Sequence, residues 1–131
     1  MYIIIDNSDR EKIIFFFLIK DIWKEKVYKT EGRKPLLIYI DKLLVSQKKI
    51  KNDIKGIGII IGKGSFTSAR VSVTTANIFG LALDIPLITL EEFNPILALD
   101  KFRKAKRKIY LSAKYSAKPN ITKPKVKKQN L

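Results

Sequence analysis

The sequence predicts an α/β domain built on a mixed five-stranded sheet. Two observations predict it: three β-rich segments follow one another before residue 30, and helical and strand patterns then alternate up to about residue 90. Three antiparallel strands followed by helix, strand, helix and strand require crossover helices packed on the sheet. No internal repeat of solenoid length competes with that layout.

Tyr2-Ile3-Ile4-Ile5 is rich in β-formers and stops at Asp6-Asn7-Ser8-Asp9, whose short polar side chains fold back on the backbone and favour a hairpin turn. Ile13 to Ile19 is an apolar run without alternation, too short for a typical helix and suited to a central strand covered on both faces. Ile22 to Tyr28 alternates as an outer strand with one wetter face does. Thr30-Glu31-Gly32-Arg33-Lys34-Pro35 breaks the pattern, and Pro35 suits the first turn of a helix, where its missing N–H loses no partner. Leu36, Leu37, Ile40, Leu43 and Leu44 then recur at helical spacing and mark an amphipathic helix. After a Lys-rich loop, Ile54 to Ile61 reads as the fourth strand. Gly62-Lys63-Gly64-Ser65 leads into a second helix from about Phe66 to Leu83, and Asp84-Ile85-Pro86 turns into a short fifth strand at Leu87-Ile88. Beyond Asp100 the pattern predicts a basic helix near 100–109 and a short strand near 109–115. Residues 117–125, with Pro119 and Pro124, read as extended and too polar to build a core. Residues 1–100 are therefore expected to form the domain, and 101–131 a basic extension that is partly extended or disordered.

The chain has 131 residues, of which 46% are apolar and 30% charged, the usage of a single globular domain that buries roughly two-thirds of its unfolded surface. Its formal charge of +15 is concentrated: residues 101–131 hold twelve Lys or Arg and no carboxylate, which leaves +3 for residues 1–100. A field of that sign attracts nucleic acid or another acidic surface. The absence of Cys and His excludes disulfides, thiolate and imidazole metal sites, and nucleophile mechanisms that need a histidine base. The longest apolar run, Ile13 to Ile19, follows Asp6, Asp9 and Glu11, so it is expected to be neither signal peptide nor membrane span. The cytoplasm is the expected location.

The sharpest local signal is Gly62-Lys63-Gly64-Ser65-Phe66-Thr67-Ser68-Ala69-Arg70, a strand-to-helix turn with two glycines, hydroxyls and an arginine. Such a turn allows positive φ and close backbone approach, and the N–H groups of a helix start suit an anion, so Gly62, Gly64, Ser65, Thr67 and Arg70 are candidates for proximity to a nucleotide phosphate. It lacks the spacing and lysine of a Walker loop, and local pattern alone favours a plain glycine turn with Ser65 as N-cap. Asp6-Asn7-Ser8 stands where enzymes of the actin and sugar-kinase type hold phosphate, or is a bare turn. Asp6, Asp9 and Glu11 give no pair that can be assigned acid and base roles. In the second helix Ala69, Val73, Ala76 and Gly80 form a stripe of small side chains that either faces the sheet or lets a partner helix approach.

The stretch from Ile57 to Leu90 resembles the signature of the TsaB family: Gly-Pro-Gly-Ser-Phe-Thr-Gly-x-Arg, a small-residue helix, a leucine-rich end and an Ile-Pro-Leu strand. Leu36-Leu37, Ile40 and Leu43-Leu44 are similar to the family's first helix, and Asp6-Asn7-Ser8 to its opening Asp-Thr-Ser turn, so the resemblance covers about residues 1–93. Lys63 replaces the usual Pro, Ser68 the usual Gly, and Lys34-Pro35 a common His-Ser pair; the basic tail is expected to stand where typical members begin a second domain. The resemblance implies an actin-like, sugar-kinase-like (ribonuclease H-like) N-terminal domain that pairs through its helices with TsaD, the catalytic subunit that forms threonylcarbamoyladenosine beside the tRNA anticodon, with TsaE supplying an ATPase cycle. It implies no catalysis and no cofactor for this chain alone, any ADP or ATP lying at the interface with TsaD, and it leaves a homodimer of the free chain open.

On that reading Leu37, Ile40, Leu44, Ala69, Val73, Ala76 and Gly80 face the partner, and Arg103, Lys104, Arg107, Lys108, Lys123 and Lys125 contact tRNA or the partner. Two other functions compete. One is a basic RNA-binding module acting through the tail, where Tyr110 and Tyr115 stand among lysines to stack on bases, although no RNA-module signature is present. The other is a kinase-like enzyme holding a nucleotide at Gly62 to Ser65.

Overall fold

The computed structural model describes residues 1–30, 34–64 and 66–112. Strand β1 (Tyr2–Asp6) pairs antiparallel with β2 (Lys12–Ile19), which pairs antiparallel with β3 (Ile22–Lys29). On its other side β1 pairs parallel with β4 (Gly56–Ile60), and β4 parallel with β5 (Leu87–Leu90), giving the order β3-β2-β1-β4-β5. The expected mixed five-stranded sheet with three antiparallel opening strands is therefore present. The apolar run in β2 has the expected cause, because helices cover both sheet faces. Helices α1 (Leu36–Ser46) and α2 (Phe66–Leu83) enclose one core with Ile3, Ile5, Phe15, Phe17, Ile57 and Ile59. Helix α3 (Pro95–Lys104) closes a smaller one with Ile4, Ile60, Ile88 and Leu90.

Local chemistry accounts for the element ends. Lys20 and Asp21 both take positive φ, 51° and 64°, as a two-residue hairpin loop with matching strand twist demands. Helix α1 ends as Lys49 N–H donates to the Leu44 carbonyl at 2.8 Å and Lys48, at φ 57°, donates to Val45 at 3.1 Å, a left-handed cap formed without glycine. The outer strand β3 exposes Lys24, Lys26 and Lys29, charges that discourage pairing with another sheet edge. On the α3 side, Phe16 and Phe93 stack at 4.1 Å and Trp23 meets Phe93 edge-on at 5.1 Å.

The third helix starts earlier than the expected 100–109. The Asn94 side chain accepts from Leu97 N–H at 3.0 Å and Pro95 occupies the first turn, a cap worth about 1 kcal/mol. Ala98 and Phe102, four apart, are then buried together. Ordered packing thus continues past residue 100, where the basic extension was expected to begin. No strand forms over 109–112; Leu111 instead exchanges both backbone hydrogen bonds with the Asn77 amide of α2, at 2.8 and 2.9 Å. Residues 113–131, including the end of that expected strand, lie outside the described residues.

Gly80 of α2 lies over β5, where an added Cβ would meet Leu87 Cδ1 at 2.8 Å, and Ala76 is fully buried. Gly80→Leu therefore overfills the helix–sheet contact and lowers the unfolding free energy by roughly 1–3 kcal/mol, read from the urea midpoint. Replacing Lys20-Asp21 by Asn-Gly acts in the other direction, relieving left-handed strain and raising stability by about 1 kcal/mol in the same titration.

Candidate functional site

Two turns singled out by sequence come together at the carboxyl ends of the parallel neighbours β1 and β4, the place where open α/β sheets bind ligands. Gly64, at φ 76°, lies so close to the β1–β2 turn that a Cβ there would stand 2.6 Å from the Ser8 carbonyl oxygen and 2.7 Å from its Cα. Only glycine fits both the angle and the contact. Asp6 is engaged within its own turn: Oδ1 accepts from Ser8 N–H at 3.0 Å and from Ser8 Oγ at 2.5 Å. Asp9 likewise accepts from Glu11 N–H at 2.7 Å. Gly62, Gly64, Thr67 and Arg70 are exposed around the start of α2, while Ser65 lies outside the described residues. Among the described residues no group of three or more His, Cys, Asp or Glu could hold a metal ion. This end of the sheet thus offers exposed backbone at a helix start, with the nearby aspartates occupied in shaping their loops.

The helix faces correct one expectation. Of the seven residues expected to meet a partner, Ile40, Leu44, Ala69, Val73, Ala76 and Gly80 are buried inside the chain, and only Leu37 is exposed. The small-residue stripe faces the sheet because α2 needs small side chains to lie close over β4 and β5. The outward faces carry different residues. On α2, Val71, Thr74, Ile78 and Leu81 recur at spacings of three and four, with Ile78 61% and Leu81 73% exposed. On α1, Leu37, Ile38 and the 76%-exposed Val45 surround Asp41 and Lys42. The signal was present in the sequence as a second apolar stripe on each helix, but a helix with apolar residues on two sides does not reveal which side is inside.

The basic candidates divide. Arg103 and Lys104 are exposed on the last turn of α3, and Lys104 pairs with Asp100 at 3.2 Å. Arg107 and Lys108 both reach Asp84 at the end of α2, at 3.5 and 3.6 Å. These pairs are exposed and contribute little to stability. Tyr110 is exposed, whereas Tyr115, Lys123 and Lys125 lie outside the described residues. Sequence reasoning missed Asn77, whose amide ties the segment after α3 to α2; a lone Asn inside a helix gives no hint of so distant a backbone partner.

No family model matches the chain, and no curated protein matches it. Solved structures do. YeaZ from Pseudomonas aeruginosa superposes with a TM-score of 0.61 at 20% identity over 79% of this chain. A protein described as similar to the peptidase YeaZ from Pseudomonas aeruginosa superposes with a TM-score of 0.60, also at 20% identity and over 79% of this chain. In both cases the match covers 48% of the solved chain, so this chain spans about half the length of the structures it resembles. At that identity the likeness establishes architecture: the chain has the actin-like, sugar-kinase-like fold of YeaZ.

Proposed function

We propose that this chain is a TsaB-type subunit that pairs with TsaD and supports formation of threonylcarbamoyladenosine beside the tRNA anticodon without performing the chemistry itself. The observation that carries this reading is the fold shared with YeaZ, the TsaB protein, in a chain whose Gly62 to Gly64 turn occupies the β4–α2 junction. The non-catalytic role is supported by composition. The chain has no His or Cys, so the serine, cysteine and zinc chemistries of most peptidases have no base, nucleophile or ligand set in it.

The pairing surface on this reading is the outward side of α1 and α2, with Val45, Val71, Ile78 and Leu81, rather than the buried stripe. These side chains gain by leaving water, and the near absence of charge on the α2 stripe removes a desolvation cost. TsaE reaches the chain through the complex, and any ADP or ATP binds at the junction with TsaD, near the Gly62 to Gly64 turn.

Co-purification with the TsaD of the same source tests the pairing. Wild-type chain forms a one-to-one complex, and Ile78→Glu with Leu81→Glu weakens it at least about a hundredfold, the cost of leaving two charges in an apolar contact. Circular dichroism stays unchanged because both residues point to solvent. A complex that survives both substitutions places the interface elsewhere, and no complex with the wild type overturns the pairing.

A further inference from the structure

The parallel pairing of β1, β4 and β5 gathers their amino-terminal ends at one pole of the sheet, opposite the Gly64–Ser8 contact. Two segments far apart in sequence converge there. The first is the loop after α1, tied to the start of β1 by Lys55 N–H donating to the Met1 carbonyl at 2.7 Å and by the Met1 ammonium donating to the Asp53 carbonyl at 3.1 Å. It presents Lys48, Lys49, Lys51 and Lys55, with only Lys49 half-buried. The second is the end of α3 and the segment that follows. Phe102 brings it to the same pole by stacking on Tyr2 at 4.5 Å and lying against Gly56, the first residues of β1 and β4. That segment presents Arg103, Lys104, Lys106, Arg107 and Lys108, all exposed.

The carboxylates at this pole, Asp21 of the β2–β3 hairpin with Asp53, Asp84 and Asp100, do not balance these charges. Asp53 Oδ2 accepts from Ile50 N–H at 2.8 Å, Asp84 is shared between Arg107 and Lys108, and Asp100 pairs with Lys104. The Met1 ammonium senses the excess: burial first, then Lys55 and Lys49, hold its pKa below the usual value, with Asp53 opposing. The other pole is close to neutral, with Asp6, Asp9, Glu11, Glu91 and Glu92 against Arg10, Lys12, Lys29, Lys34, Lys63 and Arg70, so the positive charge of the described residues is concentrated at the first pole. The basic pole is also held in place. The Asn77–Leu111 bonds fasten the end of the 105–111 segment to α2, so less ordering remains to be done when a ligand binds.

We propose that this pole is a contact surface for the phosphodiester backbone of a nucleic acid, with the 48–55 loop and the 103–108 segment each neutralising phosphates. Lysines and arginines on two separate segments match a ligand whose charge repeats along a strand. Tyr110, exposed at the margin, offers a ring on which a base can stack. An anionic membrane fits less well, because interfacial binding needs a continuous apolar face, and the exposed apolar side chains at this pole are limited to Ile50 beside Val45 and to Ile109 on a different segment. The pole adjoins the outward face of α1, where Val45 lines a groove with Lys49, Ile50 and Lys51, so nucleic-acid binding is measured without TsaD to keep this inference separate from pairing.

The test uses the full chain without any partner. Fluorescence anisotropy with labelled folded tRNA, with duplex DNA of similar length and with phosphatidylserine vesicles is followed over a range of salt. Changing Lys48, Lys49, Lys51 and Lys55 together to Gln isolates the loop from the basic tail. This variant binds nucleic acid at least about tenfold more weakly near 0.1 M salt, and its slope of log affinity against log salt is shallower by about 2–3. Changing the same four residues to Arg preserves wild-type binding, and Arg10→Gln with Lys63→Gln at the opposite pole alters it less than about twofold. Tighter binding of tRNA than of DNA identifies RNA as the ligand, and the reverse identifies DNA. A Gln variant that binds as the wild type does, or vesicle binding without nucleic-acid binding, overturns the proposal.

Discussion

Burial of β1 and β4 on both faces is the constraint from which the other features follow. Ile3, Ile4, Ile5, Ile57 and Ile59 have no exposed surface, so helices must cover the sheet on each side, and the crossover connections supply them. The two sides are filled differently. On the α1 and α2 side, large side chains from the sheet meet large side chains from α1 and, from α2, Phe79 beside the small Ala76. On the α3 side, Gly56 leaves room at the start of β4 for the stacked rings of Tyr2 and Phe102. Seating Phe102 there fixes where α3 ends, and so where the basic segment behind it begins.

The same packing assigns the two ends of the sheet different work. At the carboxyl ends of β1 and β4, chain segments are tightly apposed and the aspartates are consumed in shaping turns. At the amino ends, lysines that are scattered in sequence become neighbours. Neither arrangement requires unusual residues. Both arise because parallel strands place like ends together, so the loops that precede them collect at one pole and the loops that follow them at the other.

The outward apolar faces of α1 and α2 are separate from the core that the same helices build. Helix α2 serves two masters through its two stripes: Ala76 and Gly80 allow it to lie close over the sheet, while Ile78 and Leu81 remain in solvent. The division is geometric, since residues two apart on a helix point to opposite sides.

Most of the layout was legible from local pattern. The β-rich opening, the uninterrupted run from Ile13 to Ile19, the five-residue stripe of α1 and the glycine turn before α2 each report a local preference, and periodicity alone places such elements in order. The Asn94-Pro95 start of α3 is likewise a local feature, a side-chain cap followed by proline, and it places the helix ahead of the expected 100–109. Periodicity could not decide which side of α2 is inside, because small residues suit either a sheet or a partner helix and only the distance between Gly80 and Leu87 distinguishes them. Nor could it pair Asn77 with Leu111, or join the Lys48 to Lys55 loop to Arg103 and its neighbours, because those contacts span long stretches of chain. The sequence by itself determined which segments are strands and helices and how much charge the chain carries. Only the tertiary structure decided which surfaces remain open and where that charge gathers, because burial and electrostatic potential depend on distances in space rather than on spacing along the chain.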